Sequence, residues 1–192
     1  VQGEQVIDVF EGVISLMDKS LLRQEEQEGE EPRFMMLQTI REYGWECLQK
    51  CGEGASTQRA HALYYLHLVE EAEPYLRGPQ QDRWLAHLER ERENLRAALH
   101  WANANQEAVL ALRLGIACWW FWFNRGELHE GRRWLEAALR LPKDHVETRL
   151  RIKALCAAGY LAFRLDDTAI ARERLEEGVA LAHEAGDPRD LA

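Results

Sequence analysis

Along most of the chain, apolar residues recur at spacings of three and four, the mark of helices that bury one face. Val6, Val9, Phe10, Val13, Ile14 and Met17 predict a first helix over residues 5–17. Residues 20–25 and 33–37 then flank the loop Glu26-Gln-Glu-Gly-Glu-Glu-Pro32. The Gly and Pro of that loop break regular structure and its acids keep it in water, so the two flanks predict a small β-hairpin. A second helix follows from Gln38, with Ile40, Tyr43, Cys47, Leu48 and Cys51 on one side and Gly52-Glu-Gly54 ending it.

From Ser56, an expected N-cap, everything reads as helix, with short breaks at 77–79, 103–106, 124–127, 141–144, 166–167 and 186–188. Six helices result. Loops this short force consecutive helices to be antiparallel neighbours. Sliding the chain by 40 residues lays Leu135, Ala138 and Leu139 over Leu175, Gly178 and Val179, and Gly131 over Ala171, while Leu95, Ala98 and Leu99 fit one period earlier. Small residues at 131, 138, 171 and 178 are what a helix needs to lie close against its partner, and the residues in excess of a 34-residue repeat belong in the turns. The expected fold is mainly all-α: an α-solenoid of helical hairpins over residues 54–192, preceded by a smaller segment, 1–53, that holds the hairpin.

The composition narrows the function classes. At 192 residues with 46% hydrophobic content the chain builds a real core. The net charge of −9 disfavours nucleic acid as a partner, because phosphate contacts need a surplus of Lys and Arg on one surface. The longest apolar run, Ile116 to Phe123, is far short of the roughly 20 residues of a membrane helix. No signal-peptide pattern opens the chain, and a cytoplasmic location without membrane contact is expected. The first residue is Val1 and the last six resemble the opening of another helix, so an excised fragment is expected. Cys47, Cys51, Cys118 and Cys156 sit in apolar helical patterns and read as reduced core thiols; the seven histidines form no metal-binding set.

The stretch Leu16-Met-Asp-Lys-Ser-Leu-Leu22, the strand Arg33-Phe-Met-Met-Leu37 and then Gln38-Thr-Ile-Arg-Glu-Tyr43 resemble the end of the winged-helix domain in bacterial signal-transduction ATPases with numerous domains (STAND regulators). The resemblance continues through His61-Ala-Leu-Tyr-Tyr65, Glu93-Asn-Leu-Arg-Ala-Ala98 and Glu130-Gly-Arg-Arg-Trp-Leu-Glu-Ala-Ala138, and it covers nearly the whole chain. It implies the end of a winged helix followed by tetratricopeptide repeats, in a regulator whose ATPase responds when the repeat arm senses a protein, a peptide or a small ligand. It also implies contact with an upstream nucleotide-binding domain. A phosphate loop, G-x-x-x-x-G-K-[ST], is absent from these residues, so no catalytic residue, cofactor or enzyme activity is expected of them.

A winged helix also invites the alternative of a DNA-binding regulator fragment. Against it, the first helix carries Glu4, Asp8 and Glu11 before any Lys or Arg, and the loop between the strands carries Glu25, Glu26, Glu28, Glu30 and Glu31. The run Trp119-Trp-Phe-Trp-Phe123 points in every direction at about 100° per residue. By alignment with Gly159 and Ala162, Trp119 and Trp122 should pack within and between hairpins. Trp120 and Phe123, aligned with Tyr160 and Phe163, should face the concave side. Simple burial is the plainer reading of these rings, and a peptide groove the sharper one. The first helices of the hairpins then nominate Arg113, Ile116, Trp120, Phe123 and Asn124, with Lys153, Cys156, Tyr160, Phe163 and Arg164, as a binding surface.

Overall fold

A computed structural model describes residues 8–25 and 33–186. Among them the fold is mainly α, with nine helices and one two-stranded antiparallel sheet. The chain divides into two compact units, one ending at Ala55 and the other beginning at Ser56.

In the first unit, helix α1 (Val9–Asp18) starts where the Asp8 carboxylate accepts the backbone N–H of Phe10 at 2.9 Å, an N-cap of the ordinary kind. The residues before it that the apolar pattern assigned to this helix lie outside the described residues. Strand β1 (Leu22–Glu25) pairs with β2 (Arg33–Met36), Leu22 facing Met36 and Glu25 facing Arg33. The hairpin therefore forms where the pattern placed it; its acidic loop, with Glu26, Glu28, Glu30 and Glu31, is outside the described residues. Helix α2 (Gln38–Lys50) has Ile40, Cys47 and Leu48 half-buried, but Tyr43 is exposed. No residue of α1 or α2 is fully buried, because two short helices and a hairpin bury little surface by themselves. Gly52, at φ +77°, lets the backbone leave α2. Helix α3 (Gly54–Ala72) then begins two residues ahead of Ser56, which falls in its first turn rather than capping it.

The second unit continues from α3 through a 3₁₀ turn (Glu73–Tyr75) into α4 (Gln81–Arg90), α5 (Arg92–Ala104), α6 (Ala108–Asn124), α7 (Leu128–Leu139), α8 (Thr148–Arg164) and α9 (Thr168–Ala185). The pattern predicts one helix between the breaks at 77–79 and 103–106, where the structure has two. At the break, the Glu91 carboxylate accepts one tertiary bond, from Tyr65 Oη–H at 2.8 Å, and one local bond, from the Asn94 amide at 2.7 Å. The 40-residue period is visible directly, since α6 and α8 start at 108 and 148, and α7 and α9 at 128 and 168. The additional residues lie in the connection 140–147 between α7 and α8.

The tight turns share one geometry. Gln106, Gly126 and Asp166 are left-handed, at φ 58°, 75° and 60°, and the next N–H closes back on Ala102, Trp122 and Ala162 respectively at 2.9, 2.9 and 3.0 Å. Within the hairpins the small positions are covered: Gly131, Ala138, Ala171 and Gly178 are all buried. A methyl group on Gly131 would stand 2.9 Å from Trp122 Cβ, so α6 and α7 approach to a distance that only bare backbone permits. Phe121, Trp122, Leu114, Leu135, Leu155 and Leu161 fill the centre of the stack. Of the four cysteines expected in the core, Cys118 alone is buried; Cys47 is half-buried, Cys51 is exposed, and Cys156 is exposed in part, with its sulfur near Gly178 of α9. No helix among the described residues is long and apolar enough to cross a membrane.

Candidate binding groove

Between α6, α8, α9 and the 3₁₀ turn lies a groove of about 970 Å³. Its walls are Ile116 and Trp119 from α6, Ile152, Cys156, Ala157, Tyr160 and Phe163 from α8, and Leu175, Gly178 and Val179 from α9; Glu73, Arg77, Arg149 and Lys153 supply its charge. The large apolar members are open to solvent: Tyr160 is 38% exposed, Phe163 57%, Leu175 42% and Val179 46%. A smaller space of about 380 Å³, which shares Glu73, Ile116 and Lys153 with it, continues along Val109 and Arg113 to His145.

The aromatic run forms one connected cluster at the edge of the groove. Trp119 meets Trp120 and Tyr160 edge-on at 4.9 and 5.6 Å, Trp120 stacks on Phe123 at 4.9 Å, and Phe123 lies 5.7 Å from Tyr160. Cations cap this cluster. The Arg77 guanidinium sits 4.4 Å from the Trp120 ring centre and 5.3 Å from that of Trp119, and Arg164 sits 4.8 Å from that of Phe123, each placed for attraction to the ring face.

The structure brings together Ile116, Lys153, Cys156, Tyr160 and Phe163 as groove lining. Arg113 lies in the smaller extension and is held there by a two-pronged pair with Glu70 at 2.7 Å for each bond. Trp120 is turned aside: its indole N–H donates to the Leu76 carbonyl at 2.7 Å, which ties α6 to the chain leading out of the 3₁₀ turn. Asn124 donates to the Trp120 carbonyl and accepts from Gln81, so it closes the end of α6. Phe123 and Arg164 are neighbours of the groove through Tyr160 and the ring stack.

Trp119, expected between the hairpins, lines the groove instead, and Trp122 takes the fully buried place. The reason is steric. Leu175 packs on Gly159, where a Cβ would stand 2.9 Å from Leu175 Cγ, and an indole at the aligned position 119 cannot enter such a contact. In the preceding hairpin the contact moves one turn, to Gly115 against Leu135. The α9 wall of Leu175 and Val179 was not foreseen either. The repeat aligns them with the buried Leu135 and Leu139, but no described helix covers them beyond α9.

Burial raises the pKa of the Cys156 thiol and pushes that of Cys118 up to about 12, so neither is an activated nucleophile. No group of three or more potential metal ligands occurs among the described residues. Away from the groove lining, the second helices are linked by Arg–carboxylate pairs. Arg92 bonds Glu127 and, one period on, Arg132 bonds Asp167 at 2.8 Å; Arg96 grips Glu130 and Arg174 grips Glu136 with two bonds each.

Three curated proteins, two from Mycobacterium tuberculosis strains and one from Mycobacterium bovis, carry the provisional name HTH-type transcriptional regulator. Each is 31% identical to this chain over 190 residues, which is 95% of the chain but 21% of the relative. The chain thus spans about a fifth of the length of the relatives it matches. No family model and no solved structure matches it.

Proposed function

We propose that the chain is part of a transcriptional regulator, and that its second unit is a non-catalytic binding arm whose site is the aromatic groove. The groove carries this reading: about 970 Å³ bounded by partly exposed Trp119, Tyr160, Phe163, Leu175 and Val179, a concentration of open apolar and aromatic surface of the kind that marks recognition sites. The similarity to proteins named as HTH-type regulators supports the regulatory context. In the finer form of the proposal, residues 54–192 are tetratricopeptide-type repeats and residues 1–53 are the end of a winged helix. Together they belong to a STAND-type regulator, in which occupation of the groove is communicated to a nucleotide-binding domain.

The test is selection of random displayed peptides on the immobilised chain. Enriched binders should lose about thirty-fold in affinity with Tyr160→Ala or Phe163→Ala, equivalent to about 2 kcal/mol, with helical circular dichroism unchanged. Binders indifferent to both substitutions would place recognition elsewhere.

A second reading, DNA contact by the first unit, is favoured by the helix-turn-helix in the relatives' name. Its described residues offer Lys19, Arg23, Arg33, Arg41 and Lys50. Duplex binding that weakens steeply with salt and is lost on Arg23→Glu would support it; the groove, dominated by apolar contacts, should respond weakly to salt.

A further inference from the structure

The charge around the groove selects among occupants. We infer that the groove takes a short acidic peptide segment bearing a large apolar side chain, an inference that rests on the groove reading above. Arg77, Lys153 and Arg164 have no carboxylate within ion-pair distance among the described residues. Glu73 is the one acid there. Elsewhere in the same unit Arg92, Arg96, Arg132, Arg151 and Arg174 are each matched to a carboxylate, and although Arg83, Arg140 and Lys143 have none among the described residues, three such cations around one apolar surface occur at the groove. In a chain of net charge −9, acids are in surplus, so cations left unmatched beside the groove mark a place where negative charge is to be supplied from outside.

The walls fix the rest of the chemistry. Ile116, Ile152, Ala157, Leu175 and Val179 are aliphatic and suit an apolar side chain inserted between charged ones. Single-stranded nucleic acid would meet rings here, but its binding sites track the phosphate backbone with a longer row of cations, and the surrounding −9 would repel an extended polyanion. A volume of about 970 Å³ stands at the top of the roughly 300–1,000 Å³ range of small-ligand pockets, ample for a few residues of extended chain.

Three labelled probes test this on the whole chain by fluorescence anisotropy: a synthetic peptide of alternating Glu and Leu with one Phe, the same peptide with Lys for every Glu, and an oligothymidylate. The Glu peptide should bind at least about tenfold tighter than the Lys peptide, since like charge against the rim is repulsive. Lys153→Glu, at an exposed position, should weaken the Glu peptide by about tenfold and narrow the gap between the two peptides. Arg172→Ala, on α9 and outside the groove lining, should change nothing. Equal affinity for the two peptides, no measurable binding of the Glu peptide, indifference to Lys153→Glu, or tighter binding of oligothymidylate would each overturn the inference. Its failure is distinguishable from failure of the groove reading. Displayed peptides that need Tyr160 but show no acidic bias would leave the groove standing, whereas a Glu peptide that binds Tyr160→Ala and Phe163→Ala normally would remove the groove itself.

Discussion

Gly131 and Gly178 are both buried on second helices of adjacent hairpins, yet the structure demands opposite outcomes when each becomes Ala. At Gly131 the new methyl would stand 2.9 Å from Trp122 Cβ and 3.1 Å from Leu161 Cδ1. The first of these atoms is fixed to the α6 backbone and cannot rotate away, so α6 and α7 must separate. Overpacking of this kind costs about 1–3 kcal/mol, against a gain of about 1 kcal/mol from replacing Gly by Ala inside a helix. The net expectation is a loss of about 1 kcal/mol. At Gly178 the nearest atoms are Leu155 Cβ at 3.7 Å and Cys156 Sγ at 3.9 Å, which is ordinary contact, so the helix-propensity gain of about 1 kcal/mol stands alone. For a chain of this size each kcal/mol moves the melting temperature by about 2–4 °C, which places the two variants roughly 4–8 °C apart on opposite sides of the parent. Thermal melts followed by circular dichroism measure both. A Gly131→Ala variant that melts at or above the parent would refute the close α6–α7 contact, and with it the packing reason for the 40-residue frame.

Trp120→Phe keeps the ring but deletes the N–H that the Leu76 carbonyl accepts, and should cost about 1 kcal/mol in urea denaturation; no loss would mean that the tie between α6 and the 3₁₀ turn is not made in solution. Hydrogen bonding to Arg96, with a smaller part from Trp134, holds Glu130 below the usual carboxylate range. Its stabilising share is therefore present above the unfolded pKa of about 4.3 and is lost as the pH falls through the lower folded value, so Glu130→Gln should flatten the acid limb of a denaturation–pH profile. With its pKa pushed up to about 12 and no exposure, Cys118 should resist a thiol reagent at pH 8 until the protein unfolds, while the exposed Cys51 reacts in the native state.

The parts of the fold legible in the sequence are those written in local chemistry. The turns at 106, 126 and 166 announce themselves by Asn, Gly and Asp clusters, because each requires a left-handed residue that few side chains tolerate. The small residues at 131, 138, 171 and 178 likewise state a backbone approach directly. The break at Glu91 was hidden: Arg90-Glu-Arg92 contains no helix breaker, and the Glu91 side chain there bonds a hydroxyl from Tyr65, 26 residues away. The candidate surface was half legible for the same reason. Tyr160, Phe163, Cys156 and Lys153 follow from the face of one helix, but Leu175 and Val179 enter the groove only because nothing described covers α9, and no periodicity records that. Trp119 left its expected place for the groove because alignment alone does not say that an indole is too large for the place of Gly159, while Trp122 kept the buried place expected of it.

The same comparison bears on where the candidate surface lies. Arg92 with Glu127 and Arg132 with Asp167 are one pair repeated after 40 residues, whereas Arg96 pairs with Glu130 and its equivalent Glu136 pairs with Arg174, one turn beyond the position equivalent to Glu130. Matched, partly buried pairs of this kind fix the register between successive second helices, because sliding one helix past the other would leave several desolvated charges without partners at once. On the groove side the cations Arg77 and Arg164 rest on aromatic faces, an interaction tolerant of small displacements, and Lys153 stands free of any carboxylate among the described residues. The paired charges thus set the geometry of the stack while the groove side keeps charge and apolar surface available. None of the ion pairs that link the second helices is made by a residue lining the groove.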